Sequence, residues 1–219
     1  MTLEAMKNTK RALSTKCGDV EVEFKNIIFK ASKQSSASAD RIIKQSNGIL
    51  NINDCTFDSN TYVTLIETEG SLQMTGCEFE SNSGVLIQAN TYQISSSQFK
   101  SNSAKTTKIP ALIKSTSGLK ARITDSEFSN NDVKDGCINF ASGNSNQNIL
   151  TITDCEFVKN IGNDGASAIL ISGGLLDLSS TLFINNTDTG KSSAVILTST
   201  EIHVSDSIFI GNTYNNNNK

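Results

Sequence analysis

Apolar and polar residues alternate over one short phrase that returns eight times along the chain, each time closing on a phenylalanine. Counted back from that ring, apolar residues stand at −7 and −5, a turn-forming residue at −3 and usually a small one at −2. The rings are Phe29, Phe57, Phe79, Phe99, Phe128, Phe157, Phe183 and Phe209. Leu50 and Ile52, with Asn51 and Asn53 between and after them, show the pattern, and Leu72/Met74, Leu150/Ile152 and Ile202/Val204 repeat it. Period-two alternation predicts a half-buried strand. The −3 position holds Asp54, Gly76, Ser96, Asp125, Asp154, Ser180 and Asp206. Such residues bend a chain through side-chain-to-backbone bonds or by accepting positive φ, so a corner is expected before each ring. The first copy, residues 22–29, is degenerate, with Ser32 in place of the final Asn.

An asparagine follows three residues after the ring in the other seven copies: Asn60, Asn82, Asn102, Asn131, Asn160, Asn186 and Asn212. Asparagine tolerates left-handed backbone. Stacked asparagines also bond to one another. A tight turn plus an inward asparagine ladder accounts for the position without chemistry. A second apolar run precedes most phrases, as at 84–87, 111–113, 137–140, 168–171 and 194–197. These predict a second strand whose inward side the pattern does not assign.

Successive rings lie 20 to 29 residues apart. A unit of that size cannot bury its own apolar side and must stack on copies of itself. Residues 20–213 are therefore expected to form one all-β domain, a right-handed single-stranded parallel β-helix of about eight coils and roughly 40 Å. Residues 1–19 are expected to cap it. Leu3, Met6 and Leu13 have rough helical spacing and Thr2 suits a helix start, which predicts a short helix over 2–13. Residues 214–219 read as a polar tail. No second cap is predicted there, so the open strand edges and Phe209 are expected to be covered by further chain, by the polar tail or by another molecule in end-to-end association.

Composition narrows the function. The net charge is −3 with both signs read as interspersed, and tryptophan is absent. No basic patch stands out, so nucleic acid is not an expected partner. No apolar run approaches the ~20 residues of a membrane span, and the first residues lack the apolar core of a secretion signal. The chain thus reads as cytoplasmic or as part of a longer precursor. Of five cysteines, Cys55, Cys77 and Cys155 fall at −2, where other copies carry Ser97, Ser126, Thr181 and Ser207. That position asks for a small residue. Cys55 and Cys77 would lie within disulfide reach if the compartment were oxidising. No Cys/His spacing suggests a metal, and no cofactor is expected.

The Phe-x-x-Asn motif beside a small-residue-then-Ile strand resembles the repeats of the polymorphic outer-membrane protein and autotransporter-adhesin group. Their second motif, Gly-Gly-Ala-Ile, is degenerate here, as at 165–169 and 193–195. The resemblance covers roughly residues 20–212 and implies a pectin-lyase-like right-handed β-helix. It implies a non-catalytic structural or adhesive segment of a larger extracellular or cell-surface protein, binding glycan or protein through its polar face and loops.

The pectin-lyase-like fold also houses polysaccharide lyases and hydrolases, whose sites need carboxylates on adjacent coils and a nearby cation. Asp125 and Asp154, with Arg122 close in sequence, are the candidates for that alternative. A bend position favouring Asp, Ser and Gly explains them equally. His203 falls at an outward strand position. The outward −4 column (Asn53, Thr75, Ser95, Thr124, Thr153, Ser179 and Ser205) makes a flat polar face that resembles ice-binding proteins. Arg122, Asp177 and His203 at −6 break its regularity.

Overall fold

Two left-handed residues in each coil fold the alternating strands into corners. The −3 residue has positive φ in all eight phrases, from Asn26 at 56° through Asp125 at 48° to Asp206 at 48°. The residue two after the ring does as well, from Ala31 at 52° through Lys159 at 54° to Gly211 at 63°. The expected left-handed role of the ladder asparagines is thereby corrected. The turn is made one residue earlier, mostly by Ser, Asn or Gly, and the asparagines at +3 have ordinary φ. Between the two corners only a three-residue strand remains, such as Thr56–Asp58, and its middle residue points inward.

The computed structural model describes residues 2–4, 11–15, 20–31, 41–105, 110–117, 119–142, 148–190, 194–198 and 201–215. Among these there is no helix, and the paired strands run parallel. Three sheets form the walls of a solenoid. The first has nine strands and carries the rings, with Phe57 in register with Phe29 and Phe79, and so on to Phe209. The second has eight strands, from Glu21–Lys25 to Glu201–Ser205, and carries the −7 and −5 residues. The third has thirteen strands and holds the connecting runs.

The interior is a single apolar column. Leu50, Ile52, Phe57, Phe128, Ile152 and Phe183 are fully buried. Six rings, Phe57 to Phe183, have a coil on both sides. The last coil has none on its outer side among the described residues, and Phe209 is 48% exposed, with Val204, Ile208 and Ile210 similarly open.

The connecting strands explain why their inward side could not be read. Leu86 and Ile87 both donate their N–H to the Leu112 carbonyl, and Leu112 and Ile113 both donate to that of Cys137. Two consecutive N–H groups on one acceptor mark a bulge. Each bulge turns two neighbouring side chains inward, Leu86 with Ile87 and Leu112 with Ile113, and Cys137 and Ile138 on the next strand are buried together as well. Simple alternation does not survive that geometry. Gly84 serves the same region, at φ +126° and so close to the Tyr62 carbonyl that a Cβ would lie 1.7 Å from its oxygen.

The N-terminal helix is not formed over the described residues. Thr2–Glu4 and Arg11–Thr15 are strands, placing Leu3 in register with Phe29 and Leu13 with Ile43. A helix of about a dozen residues is marginal in water, whereas two open sheet edges offer it a ready row of donors and acceptors. Residues 5–10 of the expected helix lie outside the described residues. At the other end Thr213–Tyr214 is still a strand, and Asn215 donates to the Asp188 carbonyl, so the sheet reaches into the expected tail. Residues 216–219 lie outside the described residues.

Candidate functional site

The inward rings and asparagines are committed to neighbouring coils. From Phe29 to Phe209, ring centroids are 4.6 to 5.0 Å apart and planes lie within 11°. Beside the rings runs the asparagine column. The Asn131 amide oxygen accepts from the backbone N–H of Asn102 at 2.9 Å and from its side-chain amide at 3.1 Å. The Asn131 amide nitrogen donates to the Phe99 carbonyl at 2.8 Å and to the Asn160 side chain at 2.9 Å. The same pattern joins Asn60, Asn82, Asn102, Asn131, Asn160, Asn186 and Asn212.

The −2 column has its own reason for being small. The Ser97 and Ser126 hydroxyls donate to the carbonyls two residues back, at 2.8 and 2.7 Å, and Ser126 also accepts the Ser97 N–H. The Cys155 thiol makes the matching bond to Thr153 at 3.2 Å. Cys55, Cys77, Cys137 and Cys155 are buried free thiols. Burial pushes Cys155 up to about 12 and Cys137 up as well. The hydrogen bond between Cys55 and Cys77, with burial adding, raises Cys77. Cys137 and Cys155, buried and raised, are poor nucleophiles.

The acidic candidates meet. Asp125 and Asp154 line one open cleft of about 430 Å³, together with Glu127 and Glu156. Both Asp residues are exposed and sit at positive φ, 48° and 53°, which is the corner role of that position. Arg122 is not part of it. It stands on the outer face of the strand Lys120–Thr124, lining a separate groove with Gln93 and Thr151. No Lys or Arg is among the residues lining the acidic cleft, so the expected trio is split between two surfaces. The cation at the edge, Lys100, is held by Glu127 at 3.2 Å. His203 is exposed and contacts Glu201 at 3.0 Å. Among the described residues no group of three or more His, Cys, Asp or Glu could hold a metal ion.

Two features were missed from the sequence. Residues 81–124 contain no Asp or Glu but six Lys or Arg, so the two signs are not interspersed there. The other is Asp188, which occupies an inward column after Ala104, Val133 and Gly162 and before Tyr214. It is only 2% exposed. One oxygen accepts the Gly190 N–H at 2.7 Å, and the other has no donor among the described residues. Burial pushes its pKa above 3.8, against the pull of Gly190 and with Asp164 adding to the rise. The folded chain therefore holds this proton more tightly than the unfolded chain does. The stabilisation is complete below the unfolded value and is lost as pH rises through the folded one. Asp188→Asn is expected to raise the melting temperature at neutral pH and to flatten the gain seen in the parent between about pH 7 and about pH 4. Calorimetry across that range checks it.

No helix among the described residues is long and apolar enough to cross a membrane. Compared with protein-family models, with curated proteins and with solved structures, this chain matches none of them.

Proposed function

We propose that this chain is a non-catalytic structural and adhesive segment of a larger extracellular or cell-surface protein, which holds partners on its outer face. The observation that carries the reading is the division of labour between the two sides of the wall. The inward asparagines and most −2 side chains bond to neighbouring coils or the local backbone, whereas the −4 column on the outer face of the eight-stranded sheet is a row of short polar side chains. Part of that array is tied together, with Thr75 bonded to Ser95 at 3.0 Å and Thr153 to Ser179 at 3.1 Å. A flat, pre-ordered surface loses little side-chain freedom when covered, which favours binding. The resemblance of the Phe-x-x-Asn repeats to surface adhesins supports the extracellular setting over a cytoplasmic one.

The test is interferometry of the immobilised protein against panels of matrix proteins and glycans. Saturable binding without any cleavage product is expected, and release of unsaturated or reducing-end sugar sinks the reading.

A polysaccharide lyase or hydrolase is the second reading, favoured by the cleft that Asp125 and Asp154 share. Under the adhesive reading, Asp125→Ala and Asp154→Ala leave binding and the absence of sugar release unchanged. The enzymatic reading requires a parent activity that falls by about 10²-fold or more in each variant. Ice binding, the most distant alternative, requires thermal hysteresis at high protein concentration.

A further inference from the structure

We infer that the outer face of the strand Lys120–Thr124 is a docking site for an extended acidic peptide segment of a partner protein, with carboxylates two residues apart and an apolar residue beside them. This rests on the reading of that face as a binding surface and gives it a position and a chemistry.

Charge marks the place. Of the six cations in residues 81–124, Lys100 is paired with Glu127 and Lys105 with Asp132. Lys120 and Arg122 are exposed and have no ion-pair or hydrogen-bond partner among the described residues. They project from one face of one strand. Its ladder neighbours there are neutral: Gln93 and Thr151 flank Arg122, and Ile149 lies beside Lys120. Asp125 stands at the corner just past the strand, and along the columns of this face carboxylates return only toward the two ends. Asp177 stands two rungs from Arg122 on one side, about 10 Å away, and Glu23 four rungs away on the other, about 19 Å. At those distances salt screens most of their pull on the cations. The face thus has a positive centre, neutral flanks and negative ends, so an acidic ligand that slides along it meets like charge.

Shape and spacing name the ligand. Lys120 and Arg122 are two strand residues apart, roughly 7 Å, which is also the repeat of same-side groups in an extended peptide. A groove of about 390 Å³ runs over the pair, rimmed by Thr91, Gln93 and Thr151. Its floor includes Ile149 and continues to Leu119, which is 54% exposed. An apolar seat next to paired cations fits an apolar residue next to paired carboxylates. A sugar ring would seek an exposed aromatic plane. Tryptophan is absent from the chain, and Tyr92, the aromatic at this rung, is buried.

Fluorescence anisotropy tests this with a labelled peptide Gly-Ser-Leu-Asp-Ser-Asp-Ser-Gly and its Asn-for-Asp counterpart. The aspartate peptide is expected to bind the parent protein, and to weaken at least tenfold (~1.4 kcal/mol) in Lys120→Glu/Arg122→Glu and as salt rises from about 50 to about 500 mM. The asparagine peptide is not expected to bind. The control Lys25→Glu/Lys30→Glu, with the same change in charge on the first coil, is expected to bind as the parent does. Far-UV circular dichroism confirms that both variants keep the fold.

The inference is overturned by absence of binding at about 1 mM, where weak contacts of roughly −4 kcal/mol still register. It is overturned equally by binding that survives the double reversal, or by a hyaluronan oligosaccharide or single-stranded DNA that binds as tightly as the peptide. A matrix partner that still binds the Lys120/Arg122 variant leaves the adhesive reading standing while this site falls. A parent protein that binds nothing on the panels sinks both.

Discussion

Replacing Asn131 by alanine is expected to lower the melting temperature by about 6 °C or more, at about 2–4 °C per kcal/mol for a chain of this size. The reason lies in what the substitution strands rather than in what it removes. The Asn131 oxygen is the acceptor for both the backbone N–H and the side-chain amide of Asn102, and its amide is a donor to the Phe99 carbonyl. Asn131 and Asn102 are 0% and 1% exposed, so water cannot take over these bonds without opening the coil. Each buried group left without a partner costs about 1–3 kcal/mol, and three groups together roughly 3–9 kcal/mol. That is a large part of the 5–15 kcal/mol typical of a folded domain. Asn212→Ala, on the half-buried last coil, is expected to cost less than half as much. Thermal unfolding followed by circular dichroism measures both. An Asn131→Ala melting point within about 2 °C of the parent would remove the ladder from the list of forces holding the coils together.

Phe128→Ala is the second large effect. The ring is fully buried and stacked at 4.6 Å on Phe99 and 4.8 Å on Phe157. Truncation leaves a cavity in a wall held rigid by three sheets, at about 3–5 kcal/mol. Two ring contacts, each worth about 0.5–1.5 kcal/mol beyond buried area, go with it. The same change at Phe209 should cost only about 1–3 kcal/mol, because that ring is already half exposed and stacks on one neighbour alone, Phe183 at 4.6 Å. Because each coil touches only its neighbours, the damage should also be local. Hydrogen exchange in Phe128→Ala should speed up most in the strands around Phe99 and Phe157. Uniform loss of protection along the rod would contradict nearest-neighbour stability. Equal costs at Phe128 and Phe209 would contradict the burial difference itself.

The coil was legible in the sequence because its two strongest signals are periodic. Leu50 and Ile52 alternate, Phe57 follows at a fixed distance, and both features recur with the same spacing, so parallel stacking was the one arrangement that buried them all. The −3 corner was legible from Asp, Ser and Gly sharing a position. What was not legible follows from local geometry. The bulges at Leu86/Ile87 and Leu112/Ile113 turn consecutive side chains inward, which no period records. The left-handed turn falls on a mixed set that includes Ala31 and Lys159 beside Ser59, Asn130 and Gly211, and was overshadowed by the invariant asparagine beside it. At the N-terminus, Leu3 and Leu13 fitted a helix as well as a strand, and the open edge beside Phe29 decided between them.

On the surface, Asp125 and Asp154 were brought together as neighbours in the repeat must be. Arg122 went elsewhere because it precedes the corner and lies on the next wall. The pairing of Lys120 with Arg122 was present in the sequence as two cations at i and i+2 of a strand, inside a stretch free of carboxylates. It escaped notice because whole-chain charge hides local imbalance.

The asparagine column also has a polarity. At every step from Asn60 to Asn186 the backbone N–H and one side-chain amide hydrogen aim at the coil that follows, the amide also donates back to a Phe carbonyl of the coil before, and from Asn82 on the amide oxygen receives from the coil before. Asn212 ends the series with donors facing outward. Two molecules meeting through a dyad at that end would set donor against donor, which costs rather than stabilises. Any partner that extends this column, whether another molecule or a grafted repeat, has to arrive oxygen first, so the rod can be lengthened in one sense only.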